Sequence, residues 1–193
     1  MREAGEYFAK KGRLYETLRR LAARLAAEGI SYALVGGMAL GEHGYVRMTE
    51  DVDLLLTGAG LTRFRERLVG QGYVGTDSGA TRSFRDADSG VHIVVLVTGE
   101  FPGDGKPKSV AFPDPDDVTT DVDGLRVLVL PKLIELKLAS GMSAPHRLRD
   151  LADVQEIIKA RHLDEDFATE LDPSVRSTYL DLLRAVRTAP PGS

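Results

Sequence analysis

Residues 36–56 read GGMALGEHGYVRMTEDVDLLL, and the fold turns on how this stretch is read. A glycine pair, Gly36-Gly37, ends one apolar run and opens a short helical pattern. Glycine there permits a close backbone approach that a β-carbon would block, and the free amides of a helix start attract phosphate. Two carboxylates, Asp51 and Asp53, then stand at alternate positions of a run rich in Val and Leu. Side chains alternate across a strand, so both acids project from one face. Paired oxygen donors are what Mg²⁺ takes from a protein when water and phosphate fill its other positions. The combination suits phosphoryl-group chemistry, in which metals and positioning do most of the work. An isolated Asp-x-Asp is most often a pair of solvent-facing residues at a strand end. The upstream glycines and the strand context set this one apart.

Working outward, Leu14, Leu18, Leu21 and Leu25 recur at helical spacing and predict an amphipathic helix over 6–28, ended by Gly29. Residues 30–35 read as a short buried strand, 38–43 as a brief helix and 51–57 as a second strand. A helix is expected over 61–69, a strand or hairpin region over 73–84, a turn over 86–90 and a third strand over 91–97. Asp86 and Asp88 need no role beyond that turn. Residues 99–117, dense in Gly, Pro, Asp and Lys, read as a loop of a length that tends to be functional or mobile. Its lysines, Lys106 and Lys108, are candidates to close over a triphosphate or meet an acceptor, although such loops are more often merely solvated. A final strand over 125–130 and helices over 131–140, 145–161 and 174–187 follow, and the tail from residue 188 is expected to be disordered.

This pattern predicts an α/β (α+β) chain with a mixed sheet flanked by helices. Residues 1–130 would form the core with its N-terminal helix, 131–187 a C-terminal helical extension packed on it, and 188–193 a tail. At 193 residues, 42% of them apolar and 28% charged, the chain can bury a proper core. A net charge of −4 gives no global basic field. No aromatic-studded basic stripe of the kind that binds single strands is visible either. The absence of cysteine removes disulfides, thiolate zinc sites and cysteine nucleophiles. The basic, amphipathic first twenty residues and the short run 91–97, interrupted by His92, argue for a cytoplasmic chain without a membrane span.

Two helices add candidates. In the 131–140 helix Lys137 falls in the middle of the apolar arc, between Leu133 and Ile134, so it must snorkel or meet a partner. In the next helix Asp150 and Asp153 lie one turn apart, while Arg147 is expected within the arc of Leu151, Val154 and Ile158.

The central stretch resembles the signature of the nucleotidyltransferase superfamily, the polymerase-β-like fold. It is most similar to the AbiEii and minimal-nucleotidyltransferase branch, which includes toxins of toxin–antitoxin pairs. The resemblance rests on Gly36, Gly37, Ala39, Leu40, His43, Gly44, Arg47, Thr49, Asp51, Val52 and Asp53. It implies a nucleotidyltransferase-type sheet, a nucleoside triphosphate held at Gly36 and Gly37 with Arg47 and Thr49 nearby, and Mg²⁺ or Mn²⁺ held by Asp51 and Asp53. It also implies that Lys137 meets phosphate or an acid, and that Asp150, in a block resembling the family's Arg-x-Lys-Asp-Leu-x-Asp, pairs with that lysine. Arg149 stands where that block has lysine.

One expected group is missing. Such enzymes carry a third carboxylate on the strand after the Asp-x-Asp hairpin, and that position is Val94. His92 lies on the same face of that strand, roughly 6.6 Å away. It is a candidate base or metal ligand only if the register slips, and otherwise a hydrogen-bonded structural residue. The sequence thus leaves three readings. One is a metal-dependent transfer of a nucleoside monophosphate to an RNA, protein or small-molecule acceptor. Another is a degenerate nucleotide- or partner-binding module. The last is a toxin with an antitoxin-like partner.

Overall fold

A computed structural model of the chain describes residues 2–76 and 82–188, with side chains from Gly12 onward. Helix α1 (Arg2–Ala27) turns Leu14, Leu18, Leu21 and Leu25 into the core, and its end is closed by the Ile30 N–H reaching the Leu25 carbonyl at 2.8 Å. Strand β1 (Tyr32–Leu34), the short helix α2 (Gly36–Glu42) and strand β2 (Asp51–Leu56) come next. Helix α3 (Gly58–Arg67) starts on Thr57, whose hydroxyl accepts from the Gly60 N–H. Strands β3 (Tyr73–Gly75), β4 (Ser83–Asp86), β5 (His92–Val97), β6 (Thr119–Val122) and β7 (Leu125–Leu128) complete the sheet. Helix α4 (Leu130–Ser143), with Pro131 in its first turn, leads through a 3₁₀ turn (Pro145–Arg147) into α5 (Leu148–Arg161). A second 3₁₀ turn (Asp166–Glu170) precedes α6 (Pro173–Thr188).

The described strands form one seven-stranded sheet in the order β3-β4-β5-β2-β1-β7-β6. Strand β2 pairs parallel with β5 and β1 pairs parallel with β7, while the other neighbours are antiparallel. The architecture is the expected mixed α/β sheet flanked by helices. Leu54, Leu55 and Leu56 of β2 are fully buried, as befits an interior strand covered on both faces. On the side of β2 that carries Asp51, Asp53 and Leu55, exposure falls from open to partial to none, so the acids stand where the sheet meets solvent. A single apolar cluster runs from Leu14 of α1 to Leu183 of α6.

Three expectations change. Strand β6 was not anticipated: Asp123 and Gly124, with φ of 51° and 79°, make a two-residue turn that folds 119–122 back onto β7. The 99–117 segment is pinned rather than free. Val110 and Phe112 are buried, and the Gly99 N–H donates to the Phe112 carbonyl at 2.8 Å. Lys108 is tied to the Pro102 carbonyl at 2.6 Å and to Ser143 of α4 at 3.0 Å. Finally, Thr188 is the last residue of α6. The rest of the expected disordered tail, 189–193, and the middle of the 73–84 region, 77–81, lie outside the described residues. Among the described residues no helix is long and apolar enough to cross a membrane.

Candidate functional site

Because β1 runs antiparallel to β2, with Leu34 opposite Leu54, the chain leaving β1 turns directly beside the acids. The Val35 N–H donates to the Asp53 carbonyl at 3.0 Å. Gly36 follows at φ +64°, and a β-carbon there would lie 1.9 Å from Oδ2 of Asp53. On Gly37 a β-carbon would stand 3.0 Å from Thr49 and 3.3 Å from the Arg47 guanidinium carbon. Both glycines are therefore bare because the side chains behind them need the room. Thr49, at the foot of β2, reaches the Asp51 carbonyl at 3.5 Å.

Asp51 and Asp53 open into a cleft of about 570 Å³. Neither carboxylate makes a hydrogen bond or ion pair with a described residue. Burial pushes the Asp53 carboxyl up to about 6, and the Asp51 charge adds to the effect, against Lys137, Arg47 and Arg147. The same cleft is lined by the cations Arg47, Lys137, Arg147 and Arg149, by His146, and by the acids Glu50 and Asp150.

Most of these charges belong to one network. Lys137 of α4 is buried, and its ammonium donates to Asp150 Oδ1 at 2.9 Å and to Asp153 Oδ2 at 2.7 Å. The other oxygen of Asp150 accepts from the Ser140 hydroxyl at 2.7 Å and from Arg147 Nε at 2.9 Å. The other oxygen of Asp153 faces Arg47 Nε at 2.9 Å. Burial alone would raise the Asp150 carboxyl, but the Lys137 charge and the Ser140 hydrogen bond hold it below its ordinary value. The Lys137–Asp150 pair implied by the family resemblance is present, and Asp153 joins it. Arg147 is placed differently from expectation. It ends the 3₁₀ turn before α5, so its side chain is half exposed at the cleft rather than set among Leu151, Val154 and Ile158.

On the other side of the acids, β5 pairs His92 with Asp51 and Val94 with Asp53. The expected third-acid position is thus the direct neighbour of Asp53 and carries two methyl groups. His92 Nε2 accepts from Arg85 at 2.7 Å, and His92 lines a smaller hollow of about 180 Å³ that shares Thr49, Glu50 and Asp51 with the main cleft. Neither Lys106 nor Lys108 lines the main cleft.

Among the described residues no group of three or more His, Asp or Glu side chains is placed to hold a metal ion. Asp51 and Asp53 still fit Mg²⁺ or Mn²⁺ as a pair of oxygen donors, with phosphate and water filling the other positions. The fit rests on two partnerless acids, one of them buried enough that a cation would relieve it. That His146 and Arg149 share the cleft is not legible in the sequence, because the 3₁₀ turn and the first turn of α5 meet Asp51 and Asp53 only through tertiary packing, whereas Glu50 is the chain neighbour of Asp51.

No protein-family profile and no curated protein sequence matches the chain. Solved structures do match it in shape. ANT(2")-Ia in complex with adenylyl-2"-tobramycin superposes with a TM-score of 0.54 at 12% identity, over 90% of this chain and 96% of that one. A candidate nucleotidyltransferase from Thermotoga maritima gives 0.53 at 15% identity, over 72% and 89%. An antigenic nucleotidyltransferase-like protein from Paracoccidioides brasiliensis gives 0.53 at 18% identity, over 91% and 93%. The chain has the nucleotidyltransferase fold.

Proposed function

We propose that the chain is a metal-dependent nucleotidyltransferase that moves a nucleoside monophosphate from a nucleoside triphosphate to an acceptor, with pyrophosphate leaving. The observation that carries this reading is the pair of carboxylates, Asp51 and Asp53, which have no partner among the described residues and open from β2 into a cation-lined cleft in this fold. Asp51 and Asp53 would hold Mg²⁺ or Mn²⁺, which when bound supplies charge that stabilises the attacking and leaving oxygens. Gly36 lets Asp53 close against the turn at the cleft wall, Gly37 does the same for Thr49 and Arg47, and phosphate would bind where Gly36, Arg47 and Thr49 line the cleft beside the acids. Lys137, anchored by Asp150 and Asp153, contributes positive charge from a fixed position, where electrostatic stabilisation costs no reorganisation. His92, fixed by Arg85 beside Asp51, borders the side from which an acceptor would approach.

The acceptor class stays open among RNA, protein and small molecules; ANT(2")-Ia, whose structure is a complex with adenylyl-2"-tobramycin, makes tobramycin a sensible first small-molecule trial. A cytoplasmic location and kinship with the AbiEii and minimal-nucleotidyltransferase branch belong to the same proposal. The test is label transfer from α-labelled triphosphates, with Mg²⁺ or Mn²⁺, into RNA, protein and small-molecule fractions. Incorporation that disappears in Asp53→Ala supports the reading, and none in any fraction speaks against it.

A second reading has its own observation, Val94 beside Asp53. It makes the chain a degenerate member that binds nucleotide or a partner without turnover. Transfer that arises only in Val94→Asp would establish it. If instead the chain is a toxin with an antitoxin-like partner, its expression arrests growth and Asp53→Ala relieves the arrest.

A further inference from the structure

We infer that Met48 is the platform for the nucleobase, which lies against it by its face, so that the cleft binds the four nucleoside triphosphates with little preference. The inference rests on the nucleotide-binding reading above. The cleft offers an aromatic base almost nothing apolar: among the described residues that line it there is no Phe, Tyr or Trp, and Met48 is the one large apolar side chain. Yet Met48 is 61% exposed, unusual for a residue type that normally fills cores.

Its backbone is fixed from both sides. Arg47 is drawn inward to Asp153 by an ion pair of 2.9 Å and donates to the Met48 carbonyl at 3.1 Å. Thr49 sits against the bare α-carbon of Gly37 and reaches the Asp51 carbonyl. Anchors on either side fix the backbone at Met48, three residues from Asp51, and Met48 lines the cleft. A thioether is polarisable and meets aromatic rings favourably, without donors or acceptors that read a base edge. Contact through the π-face is tolerant of base identity because every base has one.

The test measures the affinities of ATP, GTP, CTP, UTP and of inorganic tripolyphosphate, each with Mg²⁺, for the wild type, Met48→Ala and Met48→Phe. Tripolyphosphate carries the phosphates without the base. Because Met48 is exposed, the melting temperatures of the two variants without ligand should match the wild type. The inference expects Met48→Ala to weaken all four nucleotides by about 2- to 10-fold, to similar extents, and to leave tripolyphosphate unchanged. It expects Met48→Phe to retain nucleotide affinity. Unchanged nucleotide affinity in Met48→Ala overturns it, as does equal weakening of tripolyphosphate, or a loss confined to one base. Wild-type protein that binds tripolyphosphate and nucleotides equally well overturns the base platform but leaves the phosphate site standing. Wild-type protein that binds neither overturns the underlying nucleotide reading as well.

Discussion

A β-carbon on Gly36 would fall 1.9 Å from Oδ2 and 2.9 Å from Cβ of Asp53, so an alanine there cannot be absorbed by a rotation of the carboxylate tip. Gly36 also sits at φ +64°, a conformation that costs an alanine energy. Gly36→Ala should therefore lower stability by more than about 1 kcal/mol in urea unfolding and displace Asp53 enough to abolish metal-dependent nucleotide binding. Asp53 itself is a liability to the empty fold. Its carboxyl is raised from 3.8 to about 6, so between those values the folded chain binds more protons than the unfolded chain. Stability from this group consequently falls as pH rises through that window. Asp53→Asn should raise the stability of the ligand-free protein at pH 7, by up to about 3 kcal/mol, and remove that slope while destroying the site. Thermal melts across pH 4 to 8 would show both effects, and a destabilised Asp53→Asn would contradict the account.

At the scale of elements, α4 and α5 are joined through Lys137, which serves two carboxylates at once. Lys137→Met leaves Asp150 and Asp153 facing each other without their shared cation. A cost of about 3–5 kcal/mol is expected, lowering the melting temperature by roughly 6–20 °C. The turn between β4 and β5 is tied to α1 in a similar way. Buried Asp86 accepts two bonds from Arg20 at 2.8 Å and others from Ser89. Burial works against the charge, but Arg20 and Ser89 outweigh it and hold the Asp86 carboxyl below its ordinary value. Its contribution is thus complete above pH of about 4 and is lost as pH falls through the depressed value. Asp86→Asn should cost about 1–3 kcal/mol at pH 7 and flatten the acid limb of the stability curve, read by unfolding at several pH values.

Much of this scale was legible in the sequence, for identifiable reasons. The α1 leucines, the β2 acids and Lys137 on an apolar arc are periodic signals, and periodicity survives without knowledge of neighbours. Strand β6 is short and largely open to solvent, so it carries no apolar alternation; its one local sign is Asp123-Gly124, a hairpin turn pair. Arg147 departs from the helical-wheel position because the α-helix begins at Leu148, not at Pro145, and the 3₁₀ turn before it rotates the side chain. The 99–117 loop looked free because Gly and Pro mark irregular backbone, not exposure. Its anchors, Val110, Phe112 and Lys108 on Ser143, are tertiary contacts.

For the whole molecule, the topology brings three separate segments to one cleft. The β1–α2 turn gives Gly36, β2 with the segment before it gives the acids and Arg47, and the junction of α4 with α5 gives Lys137, Arg147 and Arg149. The strand pairing also brings Val94 to Asp53, which leaves two protein oxygen donors where relatives of this fold are expected to offer three. Binding of a metal–nucleotide complex is therefore the property on which every stronger claim depends. The direct measurement is a thermal-shift titration with the four nucleoside triphosphates, with and without Mg²⁺ or Mn²⁺, on the wild type and on Asp51→Asn/Asp53→Asn. A ligand at about 100 times its dissociation constant adds roughly 2.7 kcal/mol, a rise of roughly 5–10 °C for a domain of this size. The account predicts such a rise in the wild type only when metal and nucleotide are both present, and none in the double variant. No shift with any nucleotide, or an equal shift in the double variant, would contradict it.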